Sequence, residues 1–127
     1  MLLNLETDYA IRIVGCLAKS DERIDAKTIA ARTGVTPKFT LKILHKLCGG
    51  GIVKSFKGAK GGYTLNRPSN EITLLEVVEL VYGSLSLKTC NAGDCTHPNG
   101  MCKFKDVFDN ISDHMRESLS KITFETY

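Results

Sequence analysis

This sequence predicts a mainly α fold with a small β hairpin, arranged as a winged helix-turn-helix DNA-binding unit followed by a long C-terminal dimerisation helix. Three observations predict it: two short helical segments joined by a tight glycine-containing turn, a basic glycine-rich hairpin directly after them, and an apolar stripe at helical spacing near the end.

The first helix is expected over residues 7–19, where Ala10, Ile13, Val14 and Leu17 recur at helical spacing and Thr7 or Asp8 can cap the start. A second, short helix is expected over 25–34, stopped by Gly34 in left-handed geometry. Thr36 then makes a good N-cap with Pro37 at the first helical position. Leu41, Leu44, Leu47 and Cys48 form the stripe expected to face inward, up to Gly49, Gly50 and Gly51. In a helix-turn-helix it is this second helix of the pair that enters a major groove.

Ile52 to Phe56 is extended in character, the run from Lys57 to Gly62 is a glycine-rich turn, and Tyr63 to Asn66 returns. The result is a hairpin wing whose lysines neutralise phosphate charge while its glycines allow close approach. A structural hairpin made soluble by its lysines is the alternative. It is not a Walker-type phosphate-binding loop, since no Gly-Lys-Ser/Thr opens a helix. The stretch Arg67 to Asn70 is a hinge-like linker, so residues 1–67 are expected to form the DNA-binding domain and 68–127 the remainder. Thr73 is expected to cap a helix carrying Leu75, Val78, and Val81 or Tyr82. From residue 103 onward Phe104, Val107, Phe108, Ile111, Met115, Leu119 and Ile122 fall at three- and four-residue steps. Such a helix suits a homodimer, which also supplies the two-fold symmetry a palindromic DNA site needs. An intrachain core helix is the alternative.

Net charge is +3, but residues 25–67 hold nine Lys/Arg and one acid, Asp25, which leaves the rest of the chain net acidic. A basic segment in an otherwise acidic protein is the electrostatic footprint of a phosphate-backbone binder, here of double-stranded DNA. The residues expected to touch DNA are Thr36, Lys38, Phe39, Thr40 and Lys42 on the recognition helix, and Lys54, Lys57 and Lys60 on the wing. Phe39 can meet a thymine methyl or pack in the core.

The N-terminus carries acids where a signal peptide carries Lys or Arg, and no apolar run reaches the length of a membrane span, so a cytoplasmic protein with no membrane contact is expected. Five cysteines, an odd number, favour free thiols or metal ligation over a disulfide framework. Cys90, Cys95 and Cys102 lie on a Gly/Asn/Asp/Pro loop, expected over 88–103, whose flexibility lets three thiolates meet on one centre. Three soft ligands suit iron-sulfur, zinc or copper far better than magnesium or calcium. His97 can add a fourth donor or be an exposed loop residue. Cys16 and Cys48 sit on apolar helix faces as packing residues, and His45 and His114 fall among surface positions. No paired nucleophile and base assemble, so no enzyme and no small-molecule substrate are expected.

Leu3, the run Thr7, Asp8, Tyr9, Ala10, the helix-turn-helix, the wing from Lys57 to Tyr63 and three cysteines before a terminal helix coincide in this chain. In this combination the sequence resembles, over essentially its whole length, the winged-helix iron-sulfur regulators that include IscR, NsrR and RirA. The resemblance implies a homodimeric transcription regulator, in most members a repressor, whose cluster state alters DNA affinity. It implies Cys90, Cys95 and Cys102 as cluster ligands. In the iron-sulfur assembly branch a histidine stands three residues after the last cysteine; here that position is Lys105. In the nitric-oxide-sensing branch an aspartate of the partner subunit completes a 4Fe-4S cluster, and Asp8 matches that position. The resemblance therefore implies Asp8 as fourth ligand and a 4Fe-4S cluster over a 2Fe-2S one, with zinc or no metal as alternatives. Nitric oxide, redox state or iron supply would be the signal. Competing readings are a non-DNA adaptor or a thiol- or zinc-based regulator acting through a partner protein, and a small electron-transfer protein, which leaves the basic wing unexplained.

Overall fold

A computed structural model describes residues 3–87 and 104–126. The expected cysteine loop, with Cys90, Cys95, His97 and Cys102, lies outside the described residues. The elements are α1 (Leu5–Ala18), α2 (Ala26–Thr33), α3 (Pro37–Gly49), β1 (Val53–Phe56), β2 (Gly62–Leu65), α4 (Leu74–Val81) and α5 (Lys105–Ser120), with short 3-10 turns at Ser69–Glu71 and Phe124–Thr126. This is the mainly α, hairpin-bearing class that the sequence predicts.

Local chemistry sets most of the boundaries. Asp25 caps α2 by accepting from the Thr28 amide at 2.7 Å, and Gly34 ends it at φ 75°. Thr36 caps α3 through the Phe39 amide, with Pro37 in the first turn. Thr73 and Glu76 form a reciprocal capping box at the start of α4. At α1 the expected cap was misplaced. Asn4 is the N-cap, its Oδ1 accepting from both the amide and the hydroxyl of Thr7, at 2.8 and 2.7 Å. Thr7 is itself fully buried and Asp8 lies inside the first turn.

The core gathers Ile13 and Val14 of α1, Ile43, Leu44 and Leu47 of α3, and Val77 of α4, with Ile29 of α2 and Ile72 beside them. On α3 the inward row is Thr40, Ile43, Leu44 and Leu47, whereas Leu41 is 53% exposed. Leu41 was expected inside because residues 41, 44 and 48 also repeat at helical spacing; consecutive residues sit ~100° apart round the axis, and the core takes the neighbouring row. On α4 the buried residues are Val77, Val78 and Val81, and Leu75 is half-buried.

The hairpin pairs Val53 with Leu65 and Phe56 with Gly62, antiparallel. Outside it, Ile24 of the α1–α2 loop pairs with Tyr63 through both backbone hydrogen bonds, at 3.1 and 2.8 Å. α5 is held differently. Ser112 is its one buried residue; its hydroxyl accepts from the Leu87 amide and donates to the Phe108 carbonyl. Arg116 meets Glu79 of α4 at 2.7 Å, and beyond the helix Ile122 and Phe124 bond across to Leu74 and Ile72. Among the described residues nothing covers most of its apolar stripe: Phe104 is 62% and Ile111 43% exposed. Among the described residues no helix is long and apolar enough to cross a membrane.

Candidate nucleic-acid interface

The outward face of α3 follows from its inward one. With Thr40, Ile43, Leu44 and Leu47 turned to the core, Lys38, Phe39, Leu41 and Lys42 stand outside, and the exposed cap Thr36 lies at their head. Thr40, expected to touch DNA, is instead fully buried, and its Oγ1 has no hydrogen-bond partner among the described residues. An unpaired buried hydroxyl costs about 1–3 kcal/mol. Replacing Thr40 by Val is therefore expected to raise stability by roughly 1 kcal/mol in denaturant melts and to leave DNA affinity unchanged. A loss of affinity with no change in stability would return Thr40 to the interface.

Phe39 divides its surface. Its ring meets the edge of Tyr9 on α1 at 5.9 Å, Lys42 Nζ lies 5.8 Å from its centroid, and the rest is exposed. Not every lysine on α3 is free to meet an anion. Glu6 of α1 takes Lys46 at 2.7 Å and stands 4.0 Å from Lys42. The Lys46 hydrogen bond, with the charges of Lys46 and Lys42, holds the Glu6 carboxyl below the usual carboxylate range against partial desolvation. Lys38 carries no ion pair among the described residues and heads the exposed row.

The wing presents Lys54, Lys57 and Lys60, all exposed. Lys54 Nζ lies 5.3 Å from the Phe56 ring centroid, and a cation from outside the hairpin meets the same ring: the Arg23 guanidinium sits 3.6 Å from it. At the tip the Gly61 amide closes on the Gly58 carbonyl at 2.9 Å. Gly58 has φ 98°, a conformation strained for any residue with a Cβ.

Asp8 is half-exposed on α1 and pairs with Arg12 at 2.8 Å. Arg12 in turn lies 5.5 Å from the Tyr9 ring centroid and donates to the Thr33 carbonyl. Beside this pair a cavity of about 480 Å³ is lined by Arg12, Cys16, Lys19, Arg32 and Thr33. Cys16 and Cys48 both pack partly buried against the core, and burial pushes the Cys48 thiol up in pKa. His45 and His114 are exposed.

Glu6, Tyr9, Arg12 and Arg23 escape a reading of the sequence as functional neighbours. The contacts of Glu6 with Lys46, Tyr9 with Phe39, Arg12 with Thr33 and Arg23 with Phe56 join residues far apart in the chain, and no local spacing signals them, whereas the Asp8–Arg12 pair has a four-residue helical spacing that the sequence does display.

The profile of the Rrf2 family, described as an iron-dependent transcriptional regulator, matches residues 3–126. The chain is 31% identical over 126 residues to a Mycobacterium tuberculosis (strain ATCC 25618 / H37Rv) protein provisionally named HTH-type transcriptional regulator Rv1287, covering 97% of this chain and 78% of that one. It is 26% identical over 129 residues to the HTH-type transcriptional regulator NsrR of Bacillus licheniformis, covering 98% and 90%. Among solved structures it is similar in fold to CymR (YrzC), the global cysteine regulator of B. subtilis, with a TM-score of 0.80 at 24% identity over 98% of this chain and 94% of that one.

Proposed function

Because the chain belongs to the Rrf2 family of transcriptional regulators, we propose that it acts as a homodimeric repressor whose DNA affinity is set by an iron-sulfur cluster. That it is a DNA-binding regulator and not an enzyme is the coarser conclusion on which this rests. One observation carries the DNA-reading half: the exposed N-terminal row of α3 and the lysine-bearing wing come from one basic stretch, with the core behind α3. In this reading residues 1–67 read DNA. Lys38, Phe39 and Lys42, led by Thr36, enter the major groove, while Lys54, Lys57 and Lys60 neutralise flanking phosphates.

Residues 68–127 dimerise through α5 and hold the cluster on the 88–103 segment. The donor set fits: Cys90, Cys95 and Cys102 are three thiolates within one short stretch, and Asp8 offers an accessible carboxylate on α1. When bound, a cluster of this kind supplies a redox-sensitive centre open to nitric oxide, oxidation or iron loss. Asp8 pairs with Arg12 through Oδ2 alone, so Oδ1 is left to serve as the partner subunit's ligand while Arg12 holds the carboxylate in place. A cluster bridging the two subunits in this way would favour one arrangement of the two readers over another, which is the differential affinity that a ligand needs to shift a conformational equilibrium.

The test combines two measurements on anaerobically purified protein. Binding to a duplex selected by the protein from a random pool should weaken with salt, log K falling by about 0.9 per log unit of salt for each phosphate neutralised. Visible absorbance should show an iron-sulfur band that Cys95→Ala removes. A flat salt dependence sinks the DNA-reading assignment. Protein that stays colourless after cluster reconstitution sinks the sensor and leaves a thiol- or zinc-based regulator.

A further inference from the structure

Arg23 lies outside both strands of the wing, yet it touches that hairpin at two points. Its guanidinium stacks 3.6 Å from the Phe56 ring centroid at the end of β1, and its Nη1 donates to the Lys60 carbonyl at the tip, at 3.3 Å. The next residue, Ile24, forms the two-way backbone bridge to Tyr63. The approach is close: a Cβ on Gly62, whose φ is 151°, would come within 3.0 Å of the Ile24 backbone. A two-stranded hairpin alone is at best marginally stable, and this one is strapped from outside at its tip, its middle and its aromatic anchor.

Resting on the DNA-reading assignment above, we propose that Arg23 is a positioning residue of the nucleic-acid interface: it locks the wing at one angle so that Lys54, Lys57 and Lys60 meet phosphates together. Arg23 is not itself the phosphate contact. Its planar group is committed to the Phe56 face and the Lys60 carbonyl, and Asp21 and Glu22 share the rim that it lines with Lys60 and Gly61. Ordering the wing before DNA arrives removes an entropic cost from binding. Lysine cannot replace arginine here, because an ammonium has neither the planar stacking surface nor the fork of donors.

The experiment uses the full chain and has one arm without DNA. In hydrogen exchange, the Tyr63 amide, which donates to Ile24, should exchange at least several-fold faster in Arg23→Gln and Arg23→Lys than in the unaltered protein. Affinity for the selected duplex is then measured against salt for Arg23→Gln, Arg23→Lys, Phe56→Leu and Lys60→Ala. Arg23→Gln should weaken binding by about tenfold or more near physiological salt and flatten the salt slope by more than the ~0.9 that one lost contact explains. Phe56→Leu, which removes no charge, should act likewise, and Arg23→Lys should not rescue. Lys60→Ala should add little on top of Arg23→Gln. Full rescue by Arg23→Lys with a slope change no larger than one contact makes Arg23 an ordinary phosphate contact and overturns the proposal. Unchanged Tyr63 exchange overturns the strap even if DNA affinity falls. Unaltered protein that ignores DNA overturns the functional reading instead, leaving the exchange arm to judge the strap alone.

Discussion

Changing Ile111 to Glu is expected to leave a folded monomer and to weaken binding to a two-half-site duplex by about a hundredfold or more, the range lost when linked binding becomes independent. Ile111 sits in the exposed stripe of α5 and lines, with Leu3, Leu85, Met115 and Leu119, a groove of about 460 Å³. An apolar stripe of this length on a lone chain calls for a covering partner, and a second copy would carry a second reader at two-fold related spacing. The variant should keep its fold because α5 is tied to the rest through Ser112, Arg116 and the strand-like bridge beyond Lys121, none of which involves Ile111. Sedimentation equilibrium reads the mass directly. An unaltered protein that is monomeric at tens of micromolar, or an Ile111→Glu protein that remains a dimer, would remove α5 from the proposed interface.

The second large effect concerns stability. Ile43→Ala, at the fully buried back of α3, is expected to cost about 2–5 kcal/mol, from lost transfer energy plus the void left behind. That is a large fraction of the ~5–15 kcal/mol by which domains are usually stable. α3 packs against α1, α2, α4 and β1, so a loosened Ile43 site is felt by every element that orients this helix. Denaturant melts must be run at one protein concentration, since association adds to apparent stability. A cost below about 1 kcal/mol would mean that the surroundings collapse into the space, and that the orientation of α3 is soft rather than set by packing.

How much of this was legible in the sequence depended on the range of the interactions. Asp25, Gly34, Thr36, Pro37 and Thr73 announce their helices because capping is decided within about four residues. The wing is legible for the same reason, as glycine and lysine mark its turn. The uncovered stripe on α5 is legible because helical spacing brings Phe104, Val107, Phe108 and Ile111 together whatever surrounds them. Thr40 and Leu41 went wrong because two adjacent rows of α3 both satisfied helical periodicity, and the choice between them belongs to α1 and α4. Asn4 outcompetes Thr7 as cap because Thr7 is claimed by the core. Arg23 on Phe56 and Glu6 on Lys46 were beyond reach: each pairs residues more than thirty positions apart. The cysteine triad is the reverse case, plain in the sequence and outside the described residues.

The cross-bonds that join Ile72 and Leu74 to Phe124 and Ile122 have a consequence for which changes the chain can absorb. They pin α5 at its C-terminal end, so the helix is read outward from a fixed origin. Each inserted or deleted residue within it would turn the far portion by ~100° and move it by ~1.5 Å relative to that origin. Substitutions on its polar side leave this geometry intact, whereas a single-residue insertion redirects the whole stripe beyond it. The length of α5 is thus held more tightly than its spelling, and divergence in this segment should accumulate as exchanges of residues rather than as gaps.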